Sequence, residues 1–431
     1  MTPEGAGARL PGSVSAFSVS VPETATLPKM EVSVPLPSPV AASAPGSAAA
    51  PASGSEAAPT RPLRAAILGT GGVAHLHARA LRLLPGVDLV AAADPSEQHL
   101  ADFAEAYGIG SRSTSLEDML SDVGIDVLHI CTPPGGHAEQ TAAGFGAGAH
   151  VVVEKPAALS LTQLDTMVEV GRAAQRGLAV VFQQRSGTAA AHVKELLDSG
   201  AFGRTLSALC QTNWYRTAEY FAVPWRGTWA TEGGGTTLSH GSHQVDLLAY
   251  LLGEWSAVQA TMWRLGRDVE TEDLSHASLV FASGAVASVV TTVLAPRESS
   301  LLRIDTENAT IELEHLYGHG HANWKITPAP HVDERTAASW ALPEQEIPSG
   351  HDALFAEIYD SLVAGDGMPG VVGHPARALE IVSAMYASAR EGRLVSRADL
   401  ADPALRGALT APVVEGRPGV GPEVRPHGPA A

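Results

Sequence analysis

Between Ile67 and Leu81 the sequence reads ILGTGGVAHLHARAL, which spaces Gly69, Gly71, Gly72 and Ala74 as a dinucleotide cradle of the G-x-G-x-x-G/A type. The chemistry needs these residue types. Gly69 permits a tight turn, Gly71 has no Cβ to hold the backbone away from a pyrophosphate, and Ala74 lets the following helix pack close to its strand. A helix opening here presents free N–H groups and a partial positive charge to phosphates. Asp94 ends the next apolar run, LVAAAD, about 20 residues beyond Ala74, where a carboxylate can bond an adenosine ribose. A 2′-phosphate would meet that charge, and Pro95 and Ser96 supply no cation to accept it. NAD is therefore the expected cofactor and NADP the alternative.

A second concentration of chemistry lies in NWYRTAEYFAVPWRGTWATEGGG, which holds Trp214, Arg216, Tyr220, Trp225, Arg226 and Trp229. Aromatic faces and guanidinium groups suit polyol rings and their hydroxyls; the same composition also suits a subunit contact. Arg185 either borders a substrate or pairs with a carboxylate at a domain junction. His240 and His243 stand three residues apart, but no HExxH motif or cysteine cluster accompanies them, so no metal is expected.

The elements that must position these groups change character once. From Leu63 to about Gln184, unalternated apolar strands (LRAAIL, DLVAAA, DVLHIC, HVVVE, LAVVFQQ) alternate with helices, two of which open on Ser115 and Ser160 as capping boxes with Asp118 and Gln163. This predicts an α/β Rossmann domain with a doubly wound parallel sheet over residues 61–184. Residues 185–395 predict an α+β domain: SAVQATMWRL, ASLVFAS, AVASVVTTVL, LLRIDTE and TIELEHL form a large, mostly antiparallel open sheet, with turns at Ser283-Gly284 and Glu307-Asn308. Late helices near Asp352–Val363 and Ala376–Glu391 complete this domain or fold back on the first. Residues 1–60 and 402–431, rich in Pro, Ala, Ser and Gly, are expected to be disordered tails.

Net charge is −18, from 46 acidic and 28 basic residues, and no basic stripe occurs, so nucleic acid is not an expected partner. No apolar run is long enough for a membrane span, and the N-terminus does not read as a secretory signal. Cys131 and Cys210 sit in apolar strand-like runs and read as buried free thiols. A cytoplasmic setting is expected.

Three motifs resemble the Gfo/Idh/MocA oxidoreductases: GTGGVA with Asp94; CTPPGGHAEQTAAGFGAGAHVVVEKPAAL; and EGGGTTLSHGSHQVDLLAYLLG. The resemblance covers about Leu63 to Glu391, and the spacing of T-P, His and E-K-P is its most specific part. It implies that Thr132, Pro133 and His137 border the nicotinamide half of the cofactor and that Glu154 reaches its ribose. Lys155 would lie beside the nicotinamide and bond a substrate hydroxyl that His243 faces from the other domain. Ser239 and His240 would lie near the substrate. Hydride departs from a carbon while its hydroxyl loses a proton; a histidine can take that proton and an ammonium can stabilise the developing charge. One departure is clear: the family helix carries an aspartate where this chain has Ser239, which shifts the expected proton acceptor toward His243. The implied activity is hydride transfer between NAD(P) and a secondary alcohol or ketone of a sugar, inositol or sugar-derived ring. The alternatives are an NAD-dependent glycosidase that works by transient oxidation, and a non-catalytic dinucleotide-binding regulator. A homodimer or homotetramer, paired through the open sheet face, is implied by the resemblance alone.

Overall fold

The computed structural model describes residues 61–315, 317–368, 376–407, 409, 414–417 and 420–423. The expected N-terminal tail lies outside the described residues.

The first domain alternates strand and helix from the start. β1 (Leu63–Leu68), α1 (Gly72–Leu83), β2 (Val87–Ala93), α2 (Glu97–Tyr107), β3 (Ser111–Ser113), α3 (Leu116–Asp122), β4 (Val127–Ile130), α4 (His137–Gly146), β5 (His150–Val153), α5 (Leu161–Ala174) and β6 (Leu178–Val180) follow in turn. The strands form a six-stranded parallel sheet in the order β3-β2-β1-β4-β5-β6. Runs such as Val127–Ile130 are buried throughout because helices cover both faces. The order reverses between β1 and β4, which opens a crevice at the carboxyl ends of the central strands. Ser115 and Ser160 cap α3 and α5 by accepting the N–H of Asp118 and Gln163. The Gln163 side chain accepts instead from the Leu159 N–H, and the Ser115 N–H goes to Ser113 Oγ, so neither cap is a reciprocal box.

The chain then runs through α6 (Thr188–Asp198), β7 (Thr205–Tyr215), α7 (Ala218–Phe221), α8 (Thr236–Ser239), α9 (Ser242–Leu252), β8 (Trp255–Arg264), β9 (Leu274–Phe281), β10 (Val286–Thr292), β11 (Leu294–Thr306), β12 (Ala309–Glu314), β13 (Trp324–Pro328) and α10 (Glu334–Ala338). There follow α11 (His351–Ala364), α12 (Arg377–Glu391), β14 (Val395–Ser396), α13 (Pro403–Arg406), β15 (Val414–Arg417) and β16 (Val420–Glu423). The second sheet has ten strands, with β13-β12-β11-β7-β10-β9-β8-β15-β16 in order and β14 also on β8. It is antiparallel except for β7–β10 and β8–β15. Burial alternates along β9, so one face is packed, against α9 and α12. Leu206, Leu209 and Val286 remain exposed. The two expected turns both join neighbouring antiparallel strands. Beyond Asp402, where the sequence reads as a tail, α13 forms and Leu405 and Leu409 are buried.

The late helices divide. α12 packs on the second sheet and on α9, whereas α11 returns to the first domain and packs on α1. A buried polar spine pins it there. Tyr359 on α11 bonds His129 Nε2 at 2.9 Å, His129 Nδ1 meets His77 Nδ1 at 2.9 Å, and His77 Nε2 meets Glu154 Oε1 at 3.0 Å. Burial holds both imidazoles below their usual pKa, so both are neutral. An ionised Glu154 must accept, which fixes the direction: Tyr359 donates to His129, His129 to His77, and His77 to Glu154. Cys131 and Cys210 are free and buried, as the sequence suggests.

Candidate active site

The crevice above β1 and β4 opens into a cavity of about 1970 Å³ lined by both domains. Single small-ligand sites run to roughly 300–1000 Å³, so this one has room for a dinucleotide and a second molecule. Its floor is the glycine turn. Gly69 has φ +83°, and a Cβ there would lie 2.9 Å from the Cys131 carbonyl carbon, so no other residue fits. Nothing stands within 4 Å of the place a Cβ would take at Gly71 or Gly72. No side chain caps α1, so its first N–H groups are left for a ligand. Asp94 lines the same space and is held by the Thr70 N–H at 2.8 Å and the Ser96 N–H at 2.8 Å. These features fit a dinucleotide: an open cradle, unsatisfied helix donors and an anchored carboxylate.

Beyond this turn, Thr132, Pro133, Glu154, Lys155, Tyr220, Arg226, Ser239 and His243 also line the cavity. Lys155 follows β5, and its Nζ donates to the Ser239 carbonyl at 2.8 Å, which ties the first domain to α8. Burial lowers its pKa; Glu154 and Glu232 oppose that shift and Arg226 adds to it. His243 is buried on α9, and among the described residues its Nδ1 has no hydrogen-bond partner. Burial first, then the charge of Lys155, pushes its pKa well below the usual imidazole value. It is therefore a neutral ring with an unused nitrogen. Burial alone would raise the pKa of Glu154, but hydrogen bonds from His351 and His77 hold it well below the carboxylate range. The ligand atoms of His77, Glu154 and His351 lie within 4.8 Å of one another, close enough to hold a metal ion. His77, however, uses both nitrogens in the spine, and Glu154 Oε1 serves both histidines, so the trio is a satisfied hydrogen-bond network.

Other residues singled out in the sequence stand behind this lining. Ala74 is fully buried between helix and sheet, the packing role expected of it. His137 does not face the cavity; its ring spans the Thr132 carbonyl at 2.8 Å and the Pro156 carbonyl at 2.9 Å and so braces the two segments that do. Of the two readings of Arg185, the structure shows the junction one: it is buried and paired with Asp246 at 2.6 Å. Asp246 therefore points away from the cavity, and burial raises its pKa to about 6 despite Arg185. Trp214, Arg216 and His240 form a second row. Arg216 lies over Trp214 at 4.6 Å and pairs with Glu298, Trp214 meets His240 edge-on, and His240 bonds the Tyr220 hydroxyl at 3.2 Å. Tyr220 carries that support into the cavity, where Arg226 stacks on it at 3.8 Å.

Three lining residues carried no sequence signal of their own. Tyr317 and His351 come from segments far along the chain, and Glu232 merely precedes three glycines. Glu232 is 3% exposed; its Oε1 accepts the Ser239 hydroxyl at 2.6 Å and its Oε2 the Gly227 N–H at 2.5 Å.

Residues 63–182 match the oxidoreductase family with an NAD-binding Rossmann fold, and residues 190–312 match the Gfo/Idh/MocA C-terminal domain. The chain belongs to the Gfo/Idh/MocA family. The WlbA dehydrogenase of Chromobactrium violaceum, solved with NADH and UDP-GlcNAcA, is 30% identical; the similarity covers 78% of this chain and 96% of that one, with a TM-score of 0.67. Among curated relatives, D-glucoside 3-dehydrogenase of Escherichia coli is 28% identical over 59% of this chain and 79% of its own length. Oxidoreductase P35 of Formosa agariphila is 29% identical over 44% of this chain and 60% of its own length. In Gfo/Idh/MocA terms the glycine turn, the helix dipole of α1 and Asp94 belong to an NAD-binding domain.

Proposed function

We propose that this protein is an NAD(H)-dependent dehydrogenase that interconverts a secondary alcohol and a ketone on a sugar, an inositol or a sugar derivative. One observation carries the reading: Lys155 from the first domain and His243 from the second line one cavity with the open glycine cradle. Bound NAD+ supplies the hydride acceptor. The imidazole of neutral His243, which lines the cavity, takes the proton that the reacting hydroxyl gives up. The Lys155 ammonium stabilises the charge growing on that oxygen. Tyr220 and Arg226 present an aromatic face and donors to the remaining hydroxyls. That relatives include a D-glucoside dehydrogenase and an enzyme solved with a sugar nucleotide supports this substrate class. Asp94 supports NAD(H) over NADP(H), because a 2′-phosphate would meet its charge.

The test is a panel of free sugars, inositols, glycosides, sugar nucleotides and their keto forms, with NAD(H) and NADP(H), read by nicotinamide absorbance. Turnover of at least one member, at least about tenfold better with NAD(H), is expected. Cofactor binding without turnover of any member overturns the reading. Aglycone release without net reduction of cofactor replaces it with the glycosidase.

A further inference from the structure

We propose that Glu232 is the carboxylate partner of Lys155 in this site, coupled to it through Ser239 in place of an aspartate at position 239. The inference rests on the oxidoreductase reading above for its kinetic consequences only. Ser239 touches both groups: its carbonyl accepts from Lys155 Nζ at 2.8 Å, and its hydroxyl donates to Glu232 Oε1 at 2.6 Å. A serine at 239 is neutral and too short to act as the anion itself. It is well suited to fix one. With Oε2 held by the Gly227 N–H at 2.5 Å, both oxygens of Glu232 are anchored, and each keeps a further lone pair for a ligand hydroxyl. Glu232 lines the cavity beside Lys155.

The charge inventory around Lys155 leaves this role open for Glu232. Glu154 follows β5, Arg226 and Glu232 come from the loop before α8, and His240 and His243 face it from the helical turn beyond. Both imidazoles are neutral, and Arg226 is a like charge. Glu154 is committed to His77 and His351. Glu154 still acts on Lys155 through its charge, more strongly than Glu232, but Glu232 is the anion that the Ser239 bridge ties to the lysine. Burial raises the pKa of Glu232 above the usual carboxylate value, and Ser239, the Gly227 N–H, Arg226 and Lys155 all work against that rise. It is a positioning residue: it keeps Lys155 charged in a buried site, where an uncompensated ammonium would tend to lose its proton.

Only four lysines occur, at positions 29, 155, 194 and 325, so a lysine-labelled NMR titration resolves Lys155 directly, assigned by its loss in Lys155→Met. In Glu232→Gln the pKa of Lys155 should fall by about one unit or more, because an opposite charge has gone. An unchanged pKa overturns the proposal. On a substrate found by the panel, Glu232→Gln should lose about tenfold or more in kcat, and its Lys155-dependent pH limb should move to lower pH by the same shift. The double variant Glu232→Gln with Ser239→Asp returns a carboxylate from the helix and should recover kcat and the limb. A double variant no better than Glu232→Gln also overturns the proposal. Circular dichroism checks folding. Should Glu232→Gln not fold, Ser239→Ala carries the titration, since it cuts the tether while keeping the carboxylate; a Lys155 pKa unmoved there counts against the coupling. If the wild type turns over nothing, the activity reading fails while the titration still decides the link between Glu232 and Lys155.

Discussion

Lys155 and His243 reach one cavity from opposite domains, and burial lowers the pKa of both, but their neighbours act differently. For the lysine, neighbouring carboxylates oppose the loss of charge; for the histidine, the charge of Lys155 reinforces it. Lys155→Ala should still bind NADH, seen as fluorescence quenching, yet lose at least ~10²-fold in turnover. Retained turnover would remove Lys155 from the chemistry. His243 must be neutral to accept a proton, and its folded pKa lies well below 6.5. As pH falls, alcohol oxidation should therefore hold past 6.5, and the limb belonging to His243 should appear only below it. A pH profile of kcat/KM checks this; a His243 limb at or above 6.5 contradicts the buried, Lys155-facing ring.

At the scale of elements, the turn between β1 and α1 separates two jobs that look alike in sequence. Gly69→Ala would force a Cβ against the Cys131 backbone at a φ of +83°, so stability should fall by about 1–3 kcal/mol along with cofactor affinity. Gly71→Ala meets no protein atom within 4 Å, so the melting temperature should hold while NADH affinity drops. Calorimetry and NADH titration of both variants separate fold from cradle. The helix α11 offers a second test. Tyr359→Phe removes the donor to His129 Nε2 and leaves a buried acceptor unpaired, which should cost about 1–3 kcal/mol. A denaturant midpoint unchanged in this variant would contradict the buried hydrogen bond between Tyr359 and His129.

For the whole molecule, the consequence is acid sensitivity. His77, His129, His137, His240, His243 and His319 are all buried with pKa values lowered by burial, that of His319 to about 4. Above pH 6.5 these rings are neutral folded or unfolded and change nothing. Below it the unfolded chain takes up protons that the folded chain refuses, so stability falls as pH falls, by up to about 1.4 kcal/mol per unit for each ring. Asp246, raised to about 6, works in the other direction, as do Glu232, Glu272 and Glu357, also raised by burial, but the six rings outnumber these four carboxylates. The melting temperature should drop between pH 7 and 5, with a loss of at least ~2 kcal/mol. A flat or rising curve would mean that these rings are hydrated or charged in the native state.

The sequence by itself determined what local pattern determines. The glycine spacing and Asp94 marked the cradle, unalternated strands marked a sheet covered on both faces, and the E-K-P and G-S-H segments marked the two domains' contributions. Each is legible because the constraint acts within a few residues: a turn that needs a positive φ, a strand buried on both sides, a helix face. What only the tertiary structure decided were relations between distant segments. It sent α11 back to the first domain, paired Arg185 with Asp246 behind the cavity, and turned His137 into a brace. It also brought Tyr317, His351 and Glu232 to the cavity. Burial, charge and hydrogen-bond satisfaction are settled by neighbours in space, and no spacing along the chain records that the hydroxyl of Ser239 finds Glu232.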